Sequence, residues 1–420
     1  MGRASAIAST SSESAGTRLG GENTRFQAGN YDPMRRMRKL SAKRWEVVAG
    51  IAVLALVLGM LLVKRYLVPQ APWARVYLPH ELVSGDNSPP APRVAPEMEQ
   101  LDPTALEAAA RYAGEHRSLA LIVSRHDHIV FERYWKGTGF DTAVDAQSFT
   151  RVLAALAAGA AVSHRLIGWP DEPVGAFISE WSQDARGAIT VRNLLQMSSG
   201  LAPIGAGGGA SDLTTALLHT PLAGTPGVTL REQATDPQLL SLVIERASRQ
   251  RYASYLSQSL WRRIGAADAW LWLDRPGGSA HADCCMLAHQ GDWIRIGQLL
   301  LRDGNYRGDE VIRPGWVTLM RTPAQSDPQY GAYLRVRWQP APGHEPLAAR
   351  DVFAVEGEGG NRLWLVPSLQ IAILCTGIPA GRDSAWDDSR VPNLVIRAAR
   401  EALPAAAQPG AEVPALVPGH

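Results

Sequence analysis

Two groups of β-forming residues stand near opposite ends of the main body of this chain, and their separation constrains the fold most. The first, "SLALIVSRHDHIVFERYW" (118–135), holds two apolar runs about a charged turn. It predicts a hairpin with His126, Asp127 and His128 at its tip. The second, "RLWLVPSLQIAILCTG" (362–377), holds two runs joined by a Pro-Ser turn. Helical patterns dominate between them, from Ser148 to about Trp261. They begin with "SFTRVLAALAAGAAV", a stretch so uniformly small and apolar that it must pack deep in a domain. Hairpin, helices and strands in that order imply an α+β fold. The first and last strands meet in one antiparallel sheet, and the helical middle is an inserted lobe.

Upstream, residues 1–45 lack hydrophobic periodicity and read as a disordered basic tail. Val47 to Val63 then runs without a charge, bracketed by Trp45 and Tyr66. At 1.5 Å per residue that run is about 25 Å long, which predicts a transmembrane helix over 46–66. Arg35, Arg36, Arg38, Lys39, Lys43 and Arg44 precede it, against Lys64 and Arg65 just after it. This bias places the N-terminus in the cytoplasm and the bulk of the chain outside the inner (plasma) membrane, in the periplasm of a cell that has one. Residues 67–98 are proline-rich and read as a linker, 99–402 as one mixed domain, and 403–420 as a second disordered tail.

Charge and rare residues exclude several functions. Residues 1–65 carry a net +7 and the remainder −5, so the folded part has no basic footprint for nucleic acid. Lys39, Lys43, Lys64 and Lys136 are the only lysines, and only Lys136 falls in the main domain. Cys284, Cys285 and Cys375 match neither a disulfide framework nor a structural zinc spacing, and read as free, buried, small hydrophobes. His126, Asp127 and His128, adjacent in one turn, cannot converge on a single ion. No cofactor or metal is expected. Ser198 and Ser199 read as structural, "PIGAGGGASD" (203–212) as a rim loop, and Trp261, Trp270, Trp272 and Trp293 as packing residues.

An ordered series of stretches resembles the serine β-lactamase and penicillin-binding-protein superfamily, in its class C-like branch. "LALIVSRHDHIVFERYWKG" is similar to its opening hairpin, and "LIGWPDEPVGAFISEWSQDARGAITVRNLLQMSSGL" to its signature segment. "DPQLLSLVIERASRQRYASYLSQSLWRRIGAADAWLWLD", "CCMLAHQGDWIRIGQLLLRDGNYRGDEVI" and "GEGGNRLWLVPSLQIAIL" continue the series, which runs from about Leu106 to Ala402. The resemblance implies an α/β/α sandwich with a helical lobe. It also implies acyl transfer by a Ser-x-x-Lys pair, assisted by Tyr-x-Asn/Ser and by a Lys-Thr-Gly or His-x-Gly strand.

Those positions are occupied by other residues here. Counting back from Ser148-Phe149-Thr150 puts Val144 at the nucleophile and Gln147 at the lysine. The second motif has Glu232 and Ala234, and the third has Glu358, followed by Gly359. Valine has no nucleophilic atom, and glutamine takes no proton near neutral pH. A shifted frame gives Ser148-Phe149-Thr150-Arg151, but arginine stays protonated and cannot act as the base. The expected cleft is acidic and lysine-free, formed by Asp145, Ser148, Glu232, Glu358 and Gly359, and it would repel a carboxylate. The expected function is a catalytically inactive, membrane-anchored, extracytoplasmic domain that binds a ligand, a cell-wall fragment or a protein partner. The alternative is an active serine hydrolase with a relocated nucleophile or carboxylate-based catalysis.

Overall fold

The computed structural model describes residues 45, 47–60, 78–204, 212–378 and 384–399. The chain divides into two units, Met1–Leu67 and Val68–His420. In the first, residues 47–60 are helical and almost all exposed. That helix is about 21 Å long at 1.5 Å per residue, and no described helix is long and apolar enough to cross a membrane. Residues 46 and 61–66 of the expected span lie outside the described residues.

The second unit is built on a five-stranded antiparallel sheet in the order β3-β2-β11-β10-β9. The strands are β2 (Ser118–Arg125), β3 (His128–Tyr134), β9 (Phe353–Glu356), β10 (Arg362–Val366) and β11 (Ile371–Gly377). The first hairpin and the last strands do meet: β2 pairs with β11, Ile371 opposite Arg125 and Leu374 opposite Ile122. His126 and Asp127 take left-handed conformations, as a tight hairpin turn requires. The rings of His126 and His128 both reach Glu99, at 2.6 and 2.7 Å. Burial favours the neutral acid at Glu99, but the two histidine contacts outweigh it and lower its pKa.

Every residue of β2 and β11 is buried, because both faces of the sheet are covered. Leu121, Val123, Ile373 and Cys375 face one side with α1 (Pro103–Glu115) and α9 (Arg390–Ala398). Ala120, Ile122, Ala372 and Leu374 face the other with α7 (Gln290–Leu301) and α2 (Arg151–Ser163). This is the expected layering of helix, sheet and helix. Asp102 starts α1 by accepting the Thr104 N–H, with Pro103 at the first helical position.

The helical lobe holds α3 (Val191–Leu195), α4 (Leu213–His219), α5 (Thr235–Ser248) and α6 (Tyr252–Leu256). Residues 152–162 of α2 are all buried, as the small apolar run demanded. Gly159 is required there: a Cβ would lie 2.4 Å from the Trp316 ring nitrogen, which donates to the Ala155 carbonyl. Trp316 begins α8 (Trp316–Met320), and its removal would cost about 3–5 kcal/mol.

A second antiparallel sheet, β1-β5-β6-β4, joins β1 (His80–Val83), β4 (Ala143–Asp145), β5 (Ala269–Trp272) and β6 (Met286–His289). A short ribbon, β7 (Asn305–Tyr306) with β8 (Asp309–Glu310), completes the strands. β1 corrects the reading of 67–98 as linker alone. His80–Val83 itself contains no proline, so each of its residues has an N–H with which to pair with β5. The Gly85, Asp86 and Asn87 N–H groups then bond to Asp268 and Ala266. The cysteines need a second correction, since Cys284 and Cys285 are joined by a disulfide, while the buried Cys375 stands outside it with its sulfur 3.3 Å from Ser118 Oγ. Most of the glycine-rich loop, 205–211, and the tail 400–420 lie outside the described residues.

Candidate functional site

The first turn of the central helix does not begin where a Ser-x-x-Lys pair would need it. Val144 lies in β4, opposite Ala288 of β6, and is buried. Asp145 ends that strand and accepts the Gln147 N–H at 3.0 Å. A 3-10 turn, Gln147–Thr150, then leads into α2, with Gln147 itself at φ +49°. Residues 144 and 147 are therefore not one turn apart on a common helical face. The Gln147 amide sits where a Cβ on Gly359 would approach it, at 3.2–3.3 Å. Gly359 is left-handed at φ +68°, so this close crossing uses a residue that pays no side-chain penalty.

Asn361 holds the crossing together. Its side-chain amide donates to the carbonyls of Asp145 and Ala146 at 3.4 and 3.3 Å, and its carbonyl accepts the Gly377 N–H at 3.1 Å. One buried side chain thus ties the end of β4 to the ends of β10 and β11. Gly357 allows the approach of the turn, since a Cβ there would meet Phe149 at 2.8–3.0 Å. Glu358 gives its backbone N–H to Ser148 Oγ at 3.0 Å, while its side chain is exposed.

Beside this crossing is a small cleft lined by Ser148, Arg151, Glu232, Tyr330, Arg335 and Glu356, with Met197 and Tyr333 among its apolar and aromatic walls. Of the sequence candidates, the structure brings Ser148 and Glu232 to this lining. Asp145, Gln147, Glu358 and Gly359 belong to the crossing, and Ala234 is the buried N-cap of α5. The lining is not the acidic surface expected, because the guanidiniums of Arg151 and Arg335 balance the carboxylates of Glu232 and Glu356. Burial pushes the Glu356 pKa up, against the pull of Arg362 and Arg335, and Glu232 adds to the rise. Arg335 lies 3.6 Å from the Glu356 carboxylate and stacks over Tyr330 and Trp338. Arg362 lies 3.6 Å from Glu356, is also near Asp388, and donates to the Gly357 carbonyl at 2.8 Å.

The cavity measures about 30 Å³, room for a water or two. Drug-sized ligands need roughly 300 Å³ or more. Lys136, the one lysine among the described residues, is exposed in the turn after β3 and does not line the cleft.

Residues 104–374 match the Beta-lactamase family profile, well over half of the chain. The chain belongs to the beta-lactamase family. A curated relative, the 6-aminohexanoate-dimer hydrolase of Paenarthrobacter ureafaciens, is 28% identical over 167 residues. That match covers 37% of this chain and spans only 39% of the relative's length. Among solved structures, a putative 6-aminohexanoate-dimer hydrolase from Bacillus anthracis superposes with a TM-score of 0.62 at 16% identity. It covers 76% of this chain and 89% of its own. A penicillin-binding-protein homolog from Caulobacter crescentus gives a TM-score of 0.55 at 15% identity, over 70% and 97% of the two chains. At these identities the likeness establishes a fold.

In this member of the beta-lactamase family, the groups that face the helix start are Ser148, Arg151, Glu232, Arg335 and Glu356. Sequence reasoning missed Arg335, Glu356 and Tyr330, which come from a stretch with no motif spacing, and Asn361, whose signal was only its place after two glycines. The Ser199 hydroxyl is buried against Asp236, as befits a structural residue. Trp261 and Trp293 pack edge-on in the core, with Phe149 against Trp293 at 4.8 Å.

Proposed function

We propose that the beta-lactamase-like domain of this chain is a non-catalytic binding module, held at a membrane by its N-terminal segment with the domain outside the cytoplasm. One observation carries the first part: among the described residues no lysine lines the cleft, so the amine that serves as the family's base is missing from it. Position 144 is a buried valine within a strand, and position 147 is an amide. Ser148, beside them, accepts a backbone N–H and is followed one turn later by an arginine.

The lining favours a ligand that carries both charges, since two guanidiniums and two carboxylates face the same small space. A zwitterion such as a short peptide or an aminocarboxylic acid fits that pattern. The hydrolase relative, by its name, acts on a dimer of 6-aminohexanoate, a compound of that kind. The cavity of about 30 Å³ means that binding requires the Arg335–Glu356 wall to open. Support for the anchor is the uncharged run Val47–Val63 with its basic flank.

Incubation with a fluorophosphonate and with a penicillin, read by intact mass, tests the reading. The expected result is an unmodified chain. A stoichiometric adduct that disappears in Ser148→Ala would instead make the protein a working serine hydrolase with a relocated nucleophile.

A further inference from the structure

A second constellation lies beside the start of α2, outside the cleft lining. The segment His281–Met286 is fastened to that helix start. Arg151 Nε donates to the Asp283 carbonyl at 3.3 Å, and the Met286 N–H donates to Thr150 Oγ1 at 3.3 Å. Within the segment, His281, Asp283 and Cys284 each place one ligand atom within 4.8 Å of the other two. His281 is 1% exposed and stacked on Trp272, with ring centroids 4.2 Å apart and planes at 13°. The imidazole is therefore held in place. Its Nδ1 lies 3.2 Å from Asp283 Oδ1, and its Nε2 is buried without a hydrogen-bond partner among the described residues. An unsatisfied buried ring nitrogen is costly and calls for an explanation.

The third member is masked. Cys284 is bonded to Cys285, and a disulfide sulfur is not the thiolate that binds metals. Cys285 is buried while Cys284 is partly exposed. Imidazole, carboxylate and thiolate together are a donor set for zinc and its neighbours in the first transition row. Around a tetrahedral ion with bonds near 2.0–2.3 Å, donor atoms sit about 3.3–3.8 Å apart. The observed spread needs about 1 Å of contraction.

We propose that the Cys284–Cys285 disulfide is a redox mask over a zinc-type site made by His281, Asp283 and Cys284. Reduction by a phosphine breaks the S–S bond. Phosphorus is oxidised to the phosphine oxide with oxygen from water, and the two water protons end on the two thiols. Binding then displaces the Cys284 proton, which leaves to solvent as the sulfur–metal bond forms. A dithiol gives the same two cysteines by exchange, leaving as its own disulfide.

Cobalt(II) serves as a spectroscopic stand-in for zinc. The full chain is reduced with a trialkylphosphine, freed of it without air, and titrated with Co²⁺. The expected result is one Co²⁺ per chain, with a thiolate-to-cobalt charge-transfer band and tetrahedral visible bands, and no such band before reduction. Cys285→Ser leaves Cys284 as a free thiol and gains the band without reductant, whereas Cys284→Ser lacks it in either state. His281→Ala weakens binding by at least ~10-fold. A reduced, folded chain that gives no band overturns the proposal. So does a band that survives Cys284→Ser or appears before reduction, and so does loss of the folded state on reduction.

Discussion

Asp236 is 0% exposed and accepts both the backbone N–H and the hydroxyl of Ser199. Those bonds favour the ionised form, but burial outweighs them and raises its pKa from 3.8 to about 6. Asp292 is similar: burial raises it to about 7, against the Ala267 N–H and Arg295. Between pH 4 and 6 the folded chain keeps a proton on Asp236 that the unfolded chain releases. The folded state thus binds more protons, and this contribution to stability falls as pH rises through that window. Asp236→Asn keeps an acceptor for the Ser199 N–H and cannot titrate. Urea denaturation at pH 4, 5, 6 and 7 should show a shallower decline for the variant, by up to about 1.4 kcal/mol per pH unit between 4 and 6. Asp292→Asn should flatten the decline as far as pH 7. Parallel slopes for wild type and both variants would contradict the assignment.

At the level of elements, the proposed lack of catalysis rests on the conformation of 143–147 as much as on its residue types. A serine and a lysine three apart cooperate when both sit on one helical face. Here 144 pairs within a sheet and 147 opens a 3-10 turn, tied down by Asn361. The double variant Val144→Ser with Gln147→Lys should therefore stay unlabelled by a fluorophosphonate over hours, although both residue types are restored. Labelling at one equivalent would mean that β4 converts to helix at little cost. The paired hairpins were legible in the sequence because alternation and turn residues are local signals. The same holds for the small-residue helix, whose interior position follows from composition alone. β1 and β4 were not legible, since four and three residues acquire strand geometry only by pairing with partners far along the chain. The cleft was half legible for the same reason. Ser148 and Glu232 stand in motif-bearing segments, whereas Arg335 and Glu356 arrive through the β9 edge, where Arg335 pairs with Ala354.

For the whole molecule, the folded unit begins before the point at which the prolines thin out. The stretch 80–94 gives β1 to the second sheet and backbone bonds at Gly85, Asp86, Asn87 and Val94. Its carbonyls at Ser84 and Ser88 accept from Ser257 and from the buried Arg295. Removing it leaves these donors unpaired and uncovers an edge of the sheet, at a cost of ~1–3 kcal/mol for each buried group. In a domain of this size each kcal/mol moves Tm by roughly 2–4 °C. A chain beginning at residue 78 should thus melt within about 2 °C of the full chain, while one beginning at 99 should melt more than ~5 °C lower or fail to fold. Comparing the full chain with the chain from 78 also separates anchor from domain. If the segment before residue 67 holds the protein at a membrane, the full chain resists extraction by alkaline carbonate and the chain from 78 is released, with unchanged Tm. Release of both would leave the apolar run to some other role, and retention of both would place the attachment within the folded domain itself.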